Sequence, residues 1–157
     1  MKKILIFFLF VSNFVFSQNP KFVKDLKSSE AIDIYCNLIS KNKSLKVRIG
    51  DGEISDSDGR IIGGLGIETY FFEGEKVRVF KEESVNKESK TIDCYFYNNE
   101  IIKVIVKNYK SENKSIKNIS TSHYYFFGGK LFRTFGEKIQ SEEKIKKEVE
   151  DVIYFSK

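Results

Sequence analysis

Between residues 45 and 135 the apolar positions recur mainly every second residue, and on either side of that block they recur every third or fourth. The first periodicity belongs to strands and the second to amphipathic helices. On the N-terminal side Ile32, Cys36 and Ile39 stand four and three residues apart, with Tyr35 and Leu38 beside them. Ser28 or Ser29 supplies a cap and Glu30 an acidic first turn, which predicts a helix ending near Lys41–Asn42. Phe22, Val23 and Leu26 extend it by a preceding turn. On the C-terminal side Ser141 caps a second helix, with Glu142 and Glu143 at its positive end and Ile145, Val149, Val152 and Ile153 along one side.

Within the strand block, Leu45, Val47 and Ile49 alternate with Lys46 and Arg48 up to Gly50-Asp51-Gly52, and Asp58-Gly59 marks a turn. Gly63, Gly64 and Gly66 weaken the strand that follows and predict a bulge or sharp curvature. Three stretches then share one grammar: Phe71-Phe72-Glu73-Gly74-Glu75-Lys76-Val77, Tyr95-Phe96-Tyr97-Asn98-Asn99-Glu100-Ile101 and Tyr125-Phe126-Phe127-Gly128-Gly129-Lys130-Leu131. Each reads as a β-hairpin tip: an aromatic pair and one further residue, a two-residue turn, a charge, an aliphatic. Asn-Asn and Gly-Gly suit type I′ turns, and Gly74 in first place suits type II′. In that register Phe72 faces Val77, Phe96 faces Ile101 and Phe126 faces Leu131. The polar segments Glu82 to Lys90 and Lys110 to Asn118 read as longer connections.

The order helix, strands, helix predicts an α+β fold, an antiparallel β-meander of about six to eight strands packed by an N-terminal and a C-terminal helix. The hairpin motif, behind a leader and closed by an acid-capped helix, resembles a large group of small exported bacterial proteins of unknown function whose hairpins read like Tyr-Phe-Lys-Asn-Gly-Lys-Leu. The resemblance covers Ile67 to Tyr154. It implies the fold and brings no catalytic residue with it.

Lys2-Lys3 followed by the apolar run Ile4 to Val11 reads as a signal peptide, with Val15 and Ser17 at the small-residue positions and cleavage between Ser17 and Gln18. An uncleaved anchor is the competing reading, and Asn13 interrupts its apolar run. Residues 18–157 are then one domain with a periplasmic or secreted destination. Two of the 27 basic residues leave with the leader, so 25 face 22 acidic residues and the net charge falls from +5 to +3. Lys and Glu alternate along the chain, as in Lys81-Glu82-Glu83, where a nucleic-acid binder would cluster its basic groups, so no nucleic-acid partner is expected. After cleavage no membrane span remains.

The supply of catalytic side chains is thin: one His, two Cys and no Trp. His123 lies in a strand without a companion ligand or nucleophile, and no Ser occupies a Gly-x-Ser-x-Gly elbow. No nucleophile, base and orienter can be assembled, so an enzyme is not expected, and no cofactor. Asp51, Glu53, Asp56 and Asp58 put four carboxylates in eight residues, but a Ca²⁺ loop registered on Gly59 would place Ile54 and Leu65 at ligand positions, so no metal is expected. Gly63-Gly64-Leu65-Gly66 lacks the Lys and the helix start of a phosphate cradle. An oxidising destination and two inward-facing cysteines suggest a Cys36–Cys94 disulfide, with two buried free thiols as the alternative. The bridge would draw the N-terminal helix onto the face that carries Cys94.

Ile101 to Val106 is apolar on both faces except at Lys103, and each aromatic pair sends one ring to each side. Helices cover both faces, or the second face lines a cavity, or it meets a partner. In the register above, Phe71, Tyr95, Tyr125 and Phe132 lie on that second face together with Ile102 and Val104, and are the candidate binding residues. A C-terminal helix of about 22 Å covers only part of a sheet this wide. The functional expectation is an exported, non-enzymatic binding module for an envelope protein or surface polymer. Its alternative is a carrier holding a small apolar ligand between curved sheet and helix.

Overall fold

The computed structural model describes residues 26–112 and 115–156; the expected signal peptide, the expected cleavage site and the expected extension through Phe22 and Val23 lie outside the described residues. The chain forms α1 (Ser29–Lys41), β1 (Lys46–Ser55), β2 (Ile61–Phe72), β3 (Glu75–Val85), β4 (Glu88–Tyr97), β5 (Glu100–Glu112), β6 (Ser115–Phe127), β7 (Lys130–Gly136) and α2 (Glu142–Phe155). The seven strands pair antiparallel in sequence order, a meander with one helix on each face. Both helices start at their expected caps. The Ser28 side chain accepts from the Ala31 N–H and the Ser141 side chain from the Lys144 N–H, each relieving one unpaired donor of a first turn.

The two segments read as long connections are mostly strand. Val85 pairs with Glu88 around a tight turn where Asn86 has φ 55°, and β5 and β6 pair out to Glu112 and Ser115. Much of these distal strand ends is exposed or half-exposed, so they show little of the apolar alternation that marks a strand in sequence. The bulge expected near the glycines is present: Ile62 has no partner on β1, between the pairs Ile54–Gly63 and Ser55–Ile61. A Cβ at Gly63 would stand 1.9 Å from the Ser84 carbonyl oxygen, so only glycine permits this approach of β2 to β3.

In the hairpins, Phe96 faces Ile101 and Phe126 faces Leu131 as the turn grammar requires. The first hairpin is displaced by one residue from its expected register. Its turn is Glu73-Gly74, with φ 50° and 88°, so Phe72 faces Glu75 and Phe71 faces Lys76. With both turn residues at positive φ the turn is of type I′ and not II′, Glu73 occupying a left-handed position usually given to Asn or Gly. The displacement brings Tyr70 into line with Tyr95 and Tyr125.

Each hairpin also carries one bulge at the same place. Val77, Ile102 and Phe132 have no cross-strand partner, and each is followed by a basic residue that does: Arg78, Lys103 and Arg133. A bulge lets two consecutive residues face the same side of a sheet. Val77 and Ile102 thus join the α1 face beside Arg78 and Lys103, while Val104 goes to the α2 face.

This re-partition corrects the expected faces. The α2 side buries Ile67, Val79, Ile92, Cys94, Phe96, Val104, Val106, Tyr124 and Phe126 against Ile145, Val149 and Val152. The α1 side buries Val77, Tyr95, Ile102 and Tyr125 against Leu26, Ile32, Tyr35, Cys36 and Ile39. Cys36 and Cys94 therefore lie on opposite faces of the sheet, and both are free buried thiols; the disulfide expected between them does not form. Adjacent residues of a strand point to opposite sides, so α1 docks over Tyr95 and turns its cysteine away from Cys94.

Candidate functional site

Cross-strand pairing assembles one continuous row on the α1 face: Tyr70 opposite Arg78, Arg78 opposite Tyr95, Tyr95 opposite Lys103, Lys103 opposite Tyr125, Tyr125 opposite Arg133. Tyrosine and cation alternate across six strands. Directly opposed side chains in antiparallel strands are close enough to stack, and the row does so. The Arg78 guanidinium lies 5.0 Å from the Tyr70 ring centre and 5.5 Å from that of Tyr95, and the Lys103 ammonium lies 4.9 Å from that of Tyr125.

Every cation of the row has a counter-charge. Arg78 forks onto Asp93 with Nε–Oδ1 at 2.7 Å and Nη2–Oδ2 at 2.9 Å. Lys103 donates to Asp33 of α1 at 2.5 Å, and Arg133 donates to Ser29 Oγ at 2.8 Å and Glu30 at 3.4 Å. Burial is the largest single influence and opposes the charge of both Arg78 and Lys103, yet the hydrogen bonds they donate to Asp93 and Asp33, together with the surrounding charges, outweigh it and hold both pKa values above their ordinary positions. The tyrosines are tied in as well: Tyr70 donates to Glu68, Tyr95 to Asp93 at 3.1 Å and Tyr125 to Asp33 at 3.0 Å. Burial is the main cause that raises the pKa of all three.

These contacts orient α1 across the strands. Its start meets Arg133 on β7, its middle meets Lys103 on β5 and Tyr125 on β6, and Ser40 near its end bonds the Tyr95 hydroxyl on β4 at 2.9 Å. The helix closes the tyrosine row and leaves the next row open. Two residues further along each strand stand Ile49, Glu68, Phe80, Asp93, Ile105, His123 and Phe135, again paired in series. None of these is buried: Ile49 is 72% and Phe135 42% exposed, and the others are half-exposed. Glu68 and Asp93 are already engaged by Tyr70 and Arg78. What the row offers outward is therefore largely apolar. His123 has a buried Nδ1 without a hydrogen-bond partner, and burial first, then the nearby Lys103, lowers its pKa.

The four candidate binding residues separate. Tyr95 and Tyr125 are 4% and 3% exposed beneath α1, and Phe132, 44% exposed, leans on Tyr125 with ring centres 6.4 Å apart. The one-residue displacement of the first hairpin sends Phe71 to the opposite face, where the Arg48 guanidinium lies 5.7 Å from its ring centre. The structure thus brings three of the four together. Sequence reasoning missed Arg78, Lys103 and Arg133, although each follows its tyrosine by eight residues in all three hairpins. That spacing was the available signal.

Two carboxylates of the acidic stretch are engaged in local contacts. Asp56 Oδ1 accepts the N–H groups of Asp58 and Arg60, both at 2.9 Å, Asp58 pairs with Arg60, and Asp51 and Glu53 lie on β1. Among the described residues no three of His, Cys, Asp and Glu stand close enough together to hold a metal ion, and no helix is long and apolar enough to cross a membrane.

Two openings flank the rows. The β3–β4 ladder ends at Arg78–Tyr95, and beyond it a cleft of about 280 Å³ separates the first two hairpin tips, walled by Tyr35, Phe72, Phe96 and Tyr97. At the far ends of the strands a groove of about 550 Å³ runs beneath the approach to α2, lined in part by Lys90, Asn108, Tyr109 and Gln140. Comparison with protein-family models, with curated proteins and with solved structures returns no match.

Proposed function

We propose that this protein is an exported, non-enzymatic interaction module of the cell envelope or secreted fraction, and that it receives a protein or surface polymer on the open row beside α1. The carrying observation is that one side of the sheet has two adjacent rows of opposite character. One is tied up in internal contacts and covered at its centre, Tyr95 to Tyr125, by a helix; the other displays Ile49, Phe80 and Phe135, with Ile105 packed in part against the α1 cluster, next to the hydrogen-bonded carboxylates of Glu68 and Asp93. An apolar strip rimmed by polar groups is the usual form of a recognition surface. The leader reading of residues 1–17 supplies the compartment.

The absence of a catalytic role is part of the proposal. The charged side chains nearest the strip are spent on one another, which suits a rigid platform better than proton transfer. The carrier alternative calls for apolar space between helix and sheet; the described side chains there form two packed clusters, and the groove of about 550 Å³ beside the approach to α2 is bordered mostly by polar side chains.

The test compares capture from envelope extract by the wild-type protein and by a Phe80→Ser/Phe135→Ser variant of equal thermal stability. Capture by the wild type and its loss in the variant is the expected result. Equal capture by both would refute the assignment, and co-purification of a lipid-like molecule seen by native mass spectrometry would favour the carrier.

A further inference from the structure

The geometry points to a second binding site, the cleft between the first two hairpin tips, with an uncharged pyranose ring as its occupant. It goes beyond the function proposed above and does not rest on it, since the cleft lies across α1 from the open row. Its origin is in the strands. The β3–β4 ladder stops at Arg78–Tyr95, so Glu75–Val77 and Phe96–Tyr97 splay apart as two separate tips. The Phe96 carbonyl, beyond the end of the ladder, accepts instead from the Tyr35 hydroxyl of α1 at 3.0 Å, which fixes the floor of the opening. Tyr35 and Tyr97 meet edge to face with ring centres 5.5 Å apart, which sets one wall, and Phe72 stands in another.

Three features select the ligand. At about 280 Å³ the cleft is just under the range of pockets that enclose a whole drug-sized molecule, so it takes a single ring. Its accessible aromatic walls are the half-buried rings of Phe72 and Tyr97, Tyr35 and Phe96 being buried, but the Lys76 ammonium at its border already lies 5.2 Å from the Phe96 ring centre, so a second positive group would enter against like charge; an ammonium ligand is disfavoured. Its border carries the polar side chains of Glu75, Lys76 and Asn98. A purely aromatic guest would desolvate these without giving them partners, whereas a sugar ring lays its C–H face on the aromatic walls and turns its hydroxyls to the border.

Titration of the ¹⁵N-labelled protein with methyl β-glucoside, methyl β-galactoside and methyl N-acetyl-β-glucosaminide, and separately with choline and N-acetylphenylalaninamide, decides the matter. At least one pyranoside should shift the amide signals of Glu75, Tyr97 and Asn98 in a saturable way, and choline should not. Tyr97→Leu, which keeps an apolar side chain but removes the ring, should weaken that binding by about tenfold while leaving the remaining spectrum in place. Saturable shifts with choline or N-acetylphenylalaninamide but with no pyranoside overturn the proposal. So does the absence of any shift at these three residues, or an unchanged affinity in Tyr97→Leu.

Discussion

Lys103 on the central strand β5 is joined to Asp33 on α1 at 2.5 Å, and this pair ties the helix to the sheet at the middle of the tyrosine row. The partners are unequal: the Lys103 side chain is 8% exposed and that of Asp33 48%. Removing Asp33 strands a buried cation, whereas removing Lys103 leaves a carboxylate that water can solvate. Asp33→Asn should therefore cost about 1–3 kcal/mol, the exposure of Asp33 keeping it below the cost of breaking a fully buried pair. Lys103→Met should cost less, and adding it to Asp33→Asn should recover part of the loss. Urea denaturation of the four proteins of the cycle checks this. The raised pKa of Lys103 also means that its contribution is fully present below about pH 10.5 and disappears as pH rises through the folded-state value.

The thiols give a second prediction. Burial pushes the pKa of Cys36 and of Cys94 up, so both are protonated and unreactive in the folded protein. The native protein should label with a thiol reagent only on the timescale of unfolding. Denatured and never reduced, it should label at both positions. A mass that shows one intramolecular bridge contradicts the opposite-face placement.

His123 should impose a pH dependence at mild acidity. Its folded-state pKa is lowered from 6.5, so the unfolded chain binds the proton more tightly, and stability holds above that value and falls as the solution is acidified towards the folded-state pKa. The window therefore opens as the pH falls below 6.5. Thermal melts across it should show a declining midpoint in the wild type and a smaller decline in His123→Gln.

The turn residues test the hairpin register. Gly128 and Gly129 have φ 55° and 71°, and their Cβ positions meet open space, so any penalty for substitution comes from the backbone alone. Replacing both by Val should lower stability by about 1–3 kcal/mol. An unchanged urea midpoint would show that the tip tolerates another turn.

The elements were legible because each had a local signal: caps at Ser28 and Ser141, positive-φ residues at the tips, alternation in the strands. Register was legible where the turn alone determined it, as in the second and third hairpins. It failed in the first, where Gly74 suggested one turn and alignment of Tyr70 with the neighbouring tyrosines required another. The faces were less legible still. A bulge changes which side every later residue occupies, and nothing in Val77, Ile102 or Phe132 taken singly marks it. Hence Tyr95 and Tyr125 read as a free surface, when α1 covers them through an ion pair spanning seventy positions in sequence. The open row went unread because its members, from Ile49 to Phe135, come together only through the pairing of all seven strands.

Hydroxyl-radical footprinting of the free protein, and of the protein bound to a captured partner, addresses the two-row account most directly. In the free protein Phe132 and Phe135 should be oxidised readily and Phe80 to a lesser degree, with Tyr95 and Tyr125 protected despite the reactivity of tyrosine. With partner bound, Phe80 and Phe135 should become protected and the two tyrosines should not change. Ready oxidation of Tyr95 and Tyr125 in the free protein, or a partner that leaves Phe80 and Phe135 as reactive as before, would contradict the account.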